Sequence, residues 1–588
     1  MIHKRILFAF FASVALFASC EEKQPIPDPE PTPTPTPQPG PDKPLAGEYV
    51  LPLIETTDVH GYIVNKDDKT IHYRLAYIAD KINDIRGHGA DCDRDRLLLL
   101  DGGDIYQGAS VSNLQGGLPL FVAFDRMGYD AVTVGNHEFD WGITTVIDED
   151  ATMPDYQWEG TACVSEVPVV CSNLYQNGSR VPFTKDYAII RKTAMNSEGE
   201  KVEVRIGVIG FAPNYASSIM ASKFSGAGYS IREDYSIPRN LAAELESSGQ
   251  CDATILLIHD LADDAANKLG SDSVIDLVLG GHTHRTVSGT TSWGLPYLQG
   301  GRFPENYGYA ELRFSVDDSG QVTFKSAGNL KTPSVDSGRD VCMRQGQNAS
   351  DLDEDILSVS MTAVEQSSEQ LESVIGYIDV GATKSYLSGS GERASAIGNW
   401  MCDIMRRIGD ADVSFVNGGG IRTAFPLYGS TRDITVANVY EMFPFSNTIY
   451  VYKLTYADLL KVFEYSLTSG GKSLFTGMTG LDCHYYWSGE IHSLRLWDGT
   501  VIYSGGEWTG DWASRTVILA VSEFLATSER TDYSTGTPNP LVEWNSTSRL
   551  LYNNLVDNEN AVLVLREEAA ASGGLLKVDD TAHFIVMD

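Results

Sequence analysis

Basic side chains are in short supply: 44 Lys and Arg face 79 Asp and Glu, a formal net charge of −35 with histidine neutral. A surface that acidic repels nucleic-acid backbones and argues against a DNA- or RNA-binding role. It leaves room for small phosphorylated substrates, which need only one local positive site such as a metal cluster. Cysteine is equally sparse. The eight residues at 20, 92, 163, 171, 251, 342, 402 and 483 are too few in 588 for a disulfide scaffold. Long apolar runs are missing as well. The longest, Ile6 to Phe17 broken only by Ser13, falls far short of the ~20 residues that a membrane-spanning helix needs. What is there is a globular balance of 42% hydrophobic and 21% charged residues, which excludes wholesale disorder and a fibrous chain. At ~150 residues per domain, the length suits about four small domains or two or three large ones.

Lys4 and Arg5 precede the apolar run, and it ends in Ala18-Ser19-Cys20. Residues 1–20 read as a signal peptide whose small residues before a cysteine resemble the bacterial lipobox, with Phe17 where leucine is more usual. Cys20 is then the lipidated mature N-terminus, and the protein is expected to be exported and lipid-anchored to a bacterial membrane. The alternative is an ordinary signal peptide with an incidental cysteine. With Cys20 lipidated, an odd number of cysteines remains, of which Cys163 and Cys171 are the nearest pair in sequence. Pro25 to Pro44 holds ten of the 24 prolines. Such a stretch favours extended polyproline helix and cannot pack a core, so 21–46 reads as a stalk. No solenoid-type repeat is visible.

From residue 50 the pattern becomes strand, loop, helix, strand. Apolar runs at 50–54, 97–100, 131–134, 205–211, 254–258 and 276–279 read as buried strands, with helical stretches such as 73–85 and 119–127 between them. Five of these runs end in polar clusters: Thr57-Asp58-Val59-His60-Gly61, Asp101-Gly102-Gly103-Asp104, Gly135-Asn136-His137-Glu138-Phe139-Asp140, His259-Asp260 and Gly280-Gly281-His282-Thr283-His284. Polar side chains at the carboxyl ends of buried strands are where open α/β sheets place active sites. Asp58, His60, Asp104, Asn136, His259, His282 and His284 offer carboxylate, amide and imidazole donors together. Such a mixed set suits divalent Zn, Mn, Fe or Co and lacks the thiolates of a structural zinc site. Seven donors exceed what one ion needs, so two ions bridged by a carboxylate is the economical reading, with Asp104 as the natural bridge. Each motif alone is weak; five in order at strand ends carry the inference. His72, His88, His484, His492 and His583 lie outside the pattern and read as ordinary.

The order Asp-x-His, Gly-Gly-Asp, Gly-Asn-His-Glu, His, Gly-His-x-His resembles the calcineurin-like metallophosphoesterase family. Asn136-His137-Glu138-Phe139-Asp140, with Asn417-Gly418-Gly419-Gly420-Ile421-Arg422 further on, is similar more narrowly to the bacterial 5′-nucleotidase / UDP-sugar hydrolase family, over roughly residues 50–588. The resemblance implies an α/β fold: a four-layer metallophosphoesterase sandwich with a second, smaller α/β substrate-binding domain. It implies that Asp58, His60, Asp104 and His284 bind one metal, and Asp104, Asn136, His259 and His282 the other. His137, oriented by Asp140, is implied as the catalytic dyad; a His held by an Asp suits stabilising charge on a transferring phosphoryl group or assisting the leaving oxygen. The expected division is catalytic domain 47–340, linker helix and hinge 341–373, and nucleotide-binding domain 374–588. Within the linker, 351–371 is acidic and helically patterned, with the hinge expected around 372–380.

In the second domain the Asn-Gly-Gly-Gly-Ile-Arg loop follows the apolar strand 412–416. Glycines, Gly419 among them, permit close backbone contact, while Asn417 and Arg422 offer donors, and Arg forks two hydrogen bonds to phosphate or ribose oxygens. By resemblance Phe445 and Phe524 are the walls of a base-stacking clamp and Asn447 reads the base edge. Two departures stand out. Where the family has a Gly-Gly-Asp-Gly run whose acid binds ribose, this chain has Ser528-Glu529-Arg530-Thr531-Asp532, which makes Asp532 the ribose acid after a two-residue shift. Where the family places phosphate-binding arginines, this chain has Leu387 and Gly391, with Arg393 nearby as a substitute. The expected function is an extracytoplasmic two-metal phosphohydrolase acting on 5′-nucleotides, and on UDP-sugars. One alternative is a 2′,3′-cyclic-nucleotide phosphodiesterase/3′-nucleotidase, whose opening motif Glu55-Thr56-Thr57-Asp58 resembles, although Asp140 fits the nucleotidase better. A sulfur-compound hydrolase on the same scaffold would not need the stacking phenylalanines. A non-catalytic nucleotide-binding lipoprotein would show a broken metal set, and here every ligand type is present.

The anchor is directly testable. Cys20→Ser is expected to release the protein from the membrane fraction or leave it unprocessed, as read by fractionation and mass spectrometry. Wild-type protein that is entirely soluble and carries no acyl group would refute the lipobox reading.

Overall fold

The computed structural model describes residues 44–67, 70–213, 224–335, 351–382, 395–425, 432–445, 447–468, 477–486, 488–528 and 538–587. Cys20, the signal peptide, all but the end of the proline-rich stalk, Leu387, Gly391, Arg393 and Asp532 lie outside the described residues. Among the described residues no helix is long and apolar enough to cross a membrane.

The Val/Ile/Leu runs form strands because both of their faces find apolar partners. β1 (Gly47–Thr56), β2 (Leu98–Asp101), β3 (Ala131–Thr133) and β4 (Val169–Val170) lie side by side and parallel. A second half is built from β5 (Tyr187–Met195), β6 (Lys201–Phe211), β7 (Ala253–Ile258), β8 (Leu277–Leu279), β9 (Thr286–Thr290) and β10 (Pro296–Gly300), in the spatial order β5-β6-β7-β8-β10-β9. The halves join where Val50 of β1 stands opposite Met195 of β5. β11 (Gly308–Val316) also pairs with β1, and β12 (Val322–Lys331) with β11.

Alternation along the strands then makes layers. Leu51, Leu53, Leu98, Leu100, Ile206, Val208, Ile255 and Leu257 meet in one core between the two halves. Five helices cover the outer faces: α1 (Arg74–Arg86), α2 (Leu118–Met127), α3 (Ser236–Ser247), α4 (Ala262–Leu269) and α5 (Glu354–Leu371). Ile54, Leu99 and Val132 turn outward onto α1, α2 and α5. Ile209, Phe211, Leu256 and Ile258 turn onto α3 and α4. The product is a helix–sheet–sheet–helix sandwich, the four-layer α/β class expected. Each of these residues is held on all sides, so Leu100→Ala would cost about 2–5 kcal/mol.

α5 forms where the acidic helix is expected. Its N-terminus is capped by Asp353, whose Oδ1 accepts from the Ile356 N–H at 2.8 Å. The segment after it departs from expectation. Within 372–380, Val374–Ile378 is a strand, antiparallel to Asp433–Thr435 on one side and parallel to Leu575–Leu576 on the other. Backbone held in a sheet ladder is not free to turn, which leaves Glu372, Ser373, Asp379 and Val380 as the parts of 372–380 outside the strand.

The remainder centres on a five-stranded sheet of β13 (Val413–Val416), β14 (Thr448–Thr455), β15 (Gly477–Thr479), β16 (Thr516–Ser522) and β17 (Leu550–Val556), ordered β15-β13-β16-β14-β17. Its helices are α6 (Ala396–Ile408), α7 (Val436–Met442), α8 (Tyr456–Thr468) and α9 (Asp557–Ser572). Tyr450, Tyr452 and Leu454 pack with α8 and a second five-stranded sheet. Ile449 and Val451 pack with α6, α7 and α9. The six cysteines among the described residues, Cys163 and Cys171 included, are free thiols.

His583, expected to be ordinary, bridges two carboxylates in this part of the chain. Its Nδ1 lies 2.7 Å from Asp482 Oδ1 and its Nε2 2.7 Å from Asp579 Oδ2. Burial works against its charge, but Asp482 and Asp579 outweigh that and hold it at about 9. A histidine raised in the folded state stabilises fully below its unfolded value of 6.5, and that contribution is lost as pH rises through about 9. The melting-temperature gap between wild type and His583→Gln is therefore expected to be widest in mildly acidic buffer and to close towards about pH 10. A gap that stays constant with pH would mean that His583 acts by packing alone.

Candidate active site

The parallel neighbours β1, β2 and β3 end in the turns that carry Asp58 and His60, Asp104, and Asn136 with His137. β7 and β8 end in His259 and in His282 with His284. The topology thus brings all seven sequence-predicted donors to one edge of the sandwich. The turns are tight. Asp58, His60, Asp104, His282 and His284 all take left-handed backbone, with φ of 52°, 49°, 57°, 67° and 58°. Such conformations cost about 1 kcal/mol or more each in non-glycine residues and persist only where the surroundings hold them. Close approach demands glycine at Gly135, where a Cβ would sit 2.2 Å from Asp104 Oδ1.

Two donor groups result. In the first, His60 Nε2 faces His284 Nε2 at 3.0 Å, and Asp58 Oδ1 lies 3.5 Å from His284 Nε2. In the second, Asp104 Oδ2 lies 3.0 Å from His259 Nε2, and His282 Nδ1 is 2.8 Å from Asn136 Oδ1. Asp104 Oδ2 also comes within 3.7 Å of His60 Nε2, so this one carboxylate faces both groups. Each ring is aimed by its other nitrogen: His60 Nδ1 contacts the Gln107 carbonyl at 3.0 Å and His259 Nδ1 the Gly102 carbonyl at 2.6 Å. Thr57 Oγ1 and the His282 N–H both donate to Asp58 Oδ2, at 2.7 and 3.0 Å.

These residues fit a pair of divalent cations. Asp58 Oδ1 is buried without a hydrogen bond, an arrangement that a cation would satisfy. Asp58, His60 and His284 form one cluster of candidate ligand atoms, and Asp104, His259 and His282 another. Burial holds His60 well below the ordinary imidazole value, His282 at about 4 and His284 at about 3, so all three are neutral, the form that ligates. Burial also pushes Asp58 up to about 7. Burial acts on Asp104 in the same sense, but His259 and His137 outweigh it and hold that carboxyl well below its usual range.

His137 stands beside these groups. Its Nδ1 is 2.7 Å from Asp140 Oδ2, and its backbone N–H donates to Asp104 Oδ1 at 2.7 Å. The Phe445 ring lies over it, centroids 5.4 Å apart and planes 17° from parallel, with the Arg422 guanidinium 4.9 Å from the Phe445 centroid. From here a cavity of about 320 Å³ runs from Asp104, Asn136, His137, His282 and His284 to Asn417, Gly419, Arg422, Phe445, Asn447 and Phe524. Every described residue singled out for substrate binding therefore lines the same cavity as the donor groups.

Other features here had no distinct sequence signal. Asp557, at the start of α9, is a second carboxylate on the cavity wall. The Pro444 carbonyl accepts from Asn113 Nδ2 at 2.9 Å and also from Gln107 Nε2, which docks Phe443–Phe445 against the turn after β2. Gln107 sits in a loop and Asn113 in the short helix Ser110–Leu114 that follows it, and only the fold reveals their target.

Residues 374–499 match the family model described as 5′-nucleotidase, C-terminal domain. The chain is 26% identical over 486 residues to the trifunctional nucleotide phosphoesterase protein YfkN of Bacillus subtilis; the match covers 75% of this chain and only 29% of that longer protein. It is 24% identical over 469 residues to the snake venom 5′-nucleotidase of Crotalus adamanteus, covering 73% of this chain and 72% of the other. The fold matches the crystal structure of a 5′-nucleotidase precursor from Thermus thermophilus with a TM-score of 0.62 at 18% identity, over 92% of this chain and 99% of that one.

Because one oxygen of Asp104 lies 3.0 Å from His259 and 3.7 Å from His60, between the two donor groups, Asp104→Asn is expected to lower the metal content of purified protein, measured by plasma mass spectrometry, and to abolish turnover. Near-normal metal occupancy and activity in that variant would remove the shared-carboxylate reading.

Proposed function

Because the chain belongs to the 5′-nucleotidase family, we propose that it is an extracytoplasmic, lipid-anchored phosphohydrolase that removes phosphate from 5′-nucleotides, and from UDP-sugars. One observation carries the reading: a single cavity joins four of the seven metal-type donors, Asp104, Asn136, His282 and His284, to a wall of aromatic and amide side chains. Asp58, His60, Asp104 and His284 would hold one divalent ion, and Asp104, Asn136, His259 and His282 the other. When bound, such a pair supplies an activated water and neutralises charge on the phosphoryl group.

The chain's own residues do the rest. Asp140 fixes the His137 ring through Nδ1, which leaves Nε2 to hydrogen-bond a phosphoryl or leaving oxygen. Arg422 and Asn417 offer donors to phosphate and ribose oxygens. Phe445 and Phe524 stack the base, and Asn447 reads its edge. Arg393 and Asp532 complete the phosphate and ribose contacts. On this reading residues 47–340 perform the chemistry, 341–373 connect, and 374–588 recognise the nucleotide. Aromatic walls favour a nucleoside over a sulfur compound, since stacking on a base is worth ~1–3 kcal/mol.

The test is a substrate panel on metal-loaded protein: AMP, UMP, UDP-glucose, 2′,3′-cAMP and the base-free ester bis(p-nitrophenyl) phosphate. AMP is expected to exceed the cyclic and base-free esters in kcat/KM. Phe445→Ala is expected to lower kcat/KM for AMP roughly 5- to 150-fold, with a much smaller loss on the base-free ester. Equal losses on both would make Phe445 a packing residue against His137. A preference for 2′,3′-cAMP would replace the nucleotidase reading with the cyclic phosphodiesterase.

A further inference from the structure

We infer that Glu138 is a positioning residue whose carboxylate seats Asp104 between the two donor groups, an inference that rests on the two-metal reading above. Glu138 follows β3 and is buried, 3% exposed. Its Oε2 accepts from the Asp104 N–H at 3.0 Å and the Gly135 N–H at 2.7 Å, and its Oε1 from the Ile105 N–H at 2.9 Å. The three donors come from two different turns, one after β2 and one after β3. The left-handed backbone of Asp104 takes its N–H out of the strand ladder, so a side-chain acceptor is required to satisfy it.

The contact is reciprocal. Glu138 takes the backbone N–H of Asp104, while Asp104 Oδ1 takes the backbone N–H of His137 at 2.7 Å. With Oδ1 committed to that bond, Oδ2 is the oxygen that faces His259 and His60. The same two bonds draw the turns together over Gly135, where only a missing Cβ allows the approach.

A further buried carboxylate beside Asp58, Asp101 and Asp104 is unfavourable as a charge. It is retained because only an acceptor with two anionic oxygens meets three inward-pointing N–H groups, through charge-assisted hydrogen bonds. Glutamine has the same shape but turns an NH2 group toward a donor, leaving at least one buried N–H unmatched. Aspartate is one methylene too short to reach both turns. Glu138 is thus expected to act on the ions through Asp104 without touching substrate, in the manner of outer partners that orient metal ligands.

The test uses the full-length protein loaded with Mn2+ alone. In wild type, two ions sharing Asp104 are expected to give an exchange-coupled electron paramagnetic resonance spectrum. Glu138→Gln is expected to show uncoupled, mononuclear signals and roughly 10- to 100-fold weaker Mn2+ binding, while far-ultraviolet circular dichroism stays unchanged. A coupled spectrum and unchanged affinity in the variant would overturn the role of Glu138 and leave the two-metal reading standing. An uncoupled wild type would overturn both. Should the variant fail to fold, hydrogen exchange on metal-free wild type decides: the 104, 105 and 135 amides are expected to be protected without any ion. Exchange there at the rate of open loops would overturn the inference.

Discussion

Asp58, Asp104 and Glu138 follow three adjacent parallel strands and are all buried, at 0%, 1% and 3% exposure. Like charges packed out of reach of water repel, and each loses several kcal/mol of hydration. The cluster is tolerable only where positive charge or hydrogen-bond donors are built in among the carboxylates. Glu138 meets this with three backbone N–H groups, and Asp104 with His259 and His137. Asp58 meets it only in part, since its Oδ1 has no hydrogen bond. Much else follows from that constraint: the donors must converge, the turns must tighten into left-handed backbone, and glycine must stand wherever two turns meet.

Convergence of this kind suits a parallel, doubly covered sheet. Strand ends that point the same way deliver their loops to one edge, and the cores on either side hold those ends still. The core between the sheet halves and the two helical layers outside serve this purpose. They let five left-handed residues persist close together, at a cost of about 1 kcal/mol or more each that isolated loops would relieve by refolding.

The second sheet system approaches the same edge through one short loop. Pro444 is held by Gln107 and Asn113, and the neighbouring Phe445 lies on His137. Gln107 also offers its carbonyl to His60, so one residue touches both a candidate ligand and the loop that stacks on His137. In the proposed function, chemistry and recognition are therefore divided between two parts of the chain yet meet in a single cavity.

Much of this was legible from the order of residues. Runs apolar on consecutive positions mark strands buried on both faces, as 98–100 and 254–258 are, while 50–54 is a strand whose Val50 and Pro52 stay half-buried. Asp-x-His, Gly-Gly-Asp and Gly-His-x-His name the donors because ligand chemistry resides in side-chain type, and short spacing fixes which donors share a turn. The acidic, helically patterned 351–371 stretch is a helix for equally local reasons. What needed the tertiary structure depends on residues far apart in sequence. Val374–Ile378 is a strand because partners near 434 pair along one edge and partners near 575 take up Tyr377 and Ile378 on the other. His583 is a charged bridge rather than an ordinary histidine because Asp482, about a hundred residues away, reaches one of its nitrogens. Glu138 was visible inside a motif, but its task was not, since the N–H groups it binds belong partly to another strand's turn. Composition and spacing determine what each side chain can do; only the packed chain decides which groups lie within hydrogen-bond reach, because that distance is set by the core and not by the neighbours in sequence.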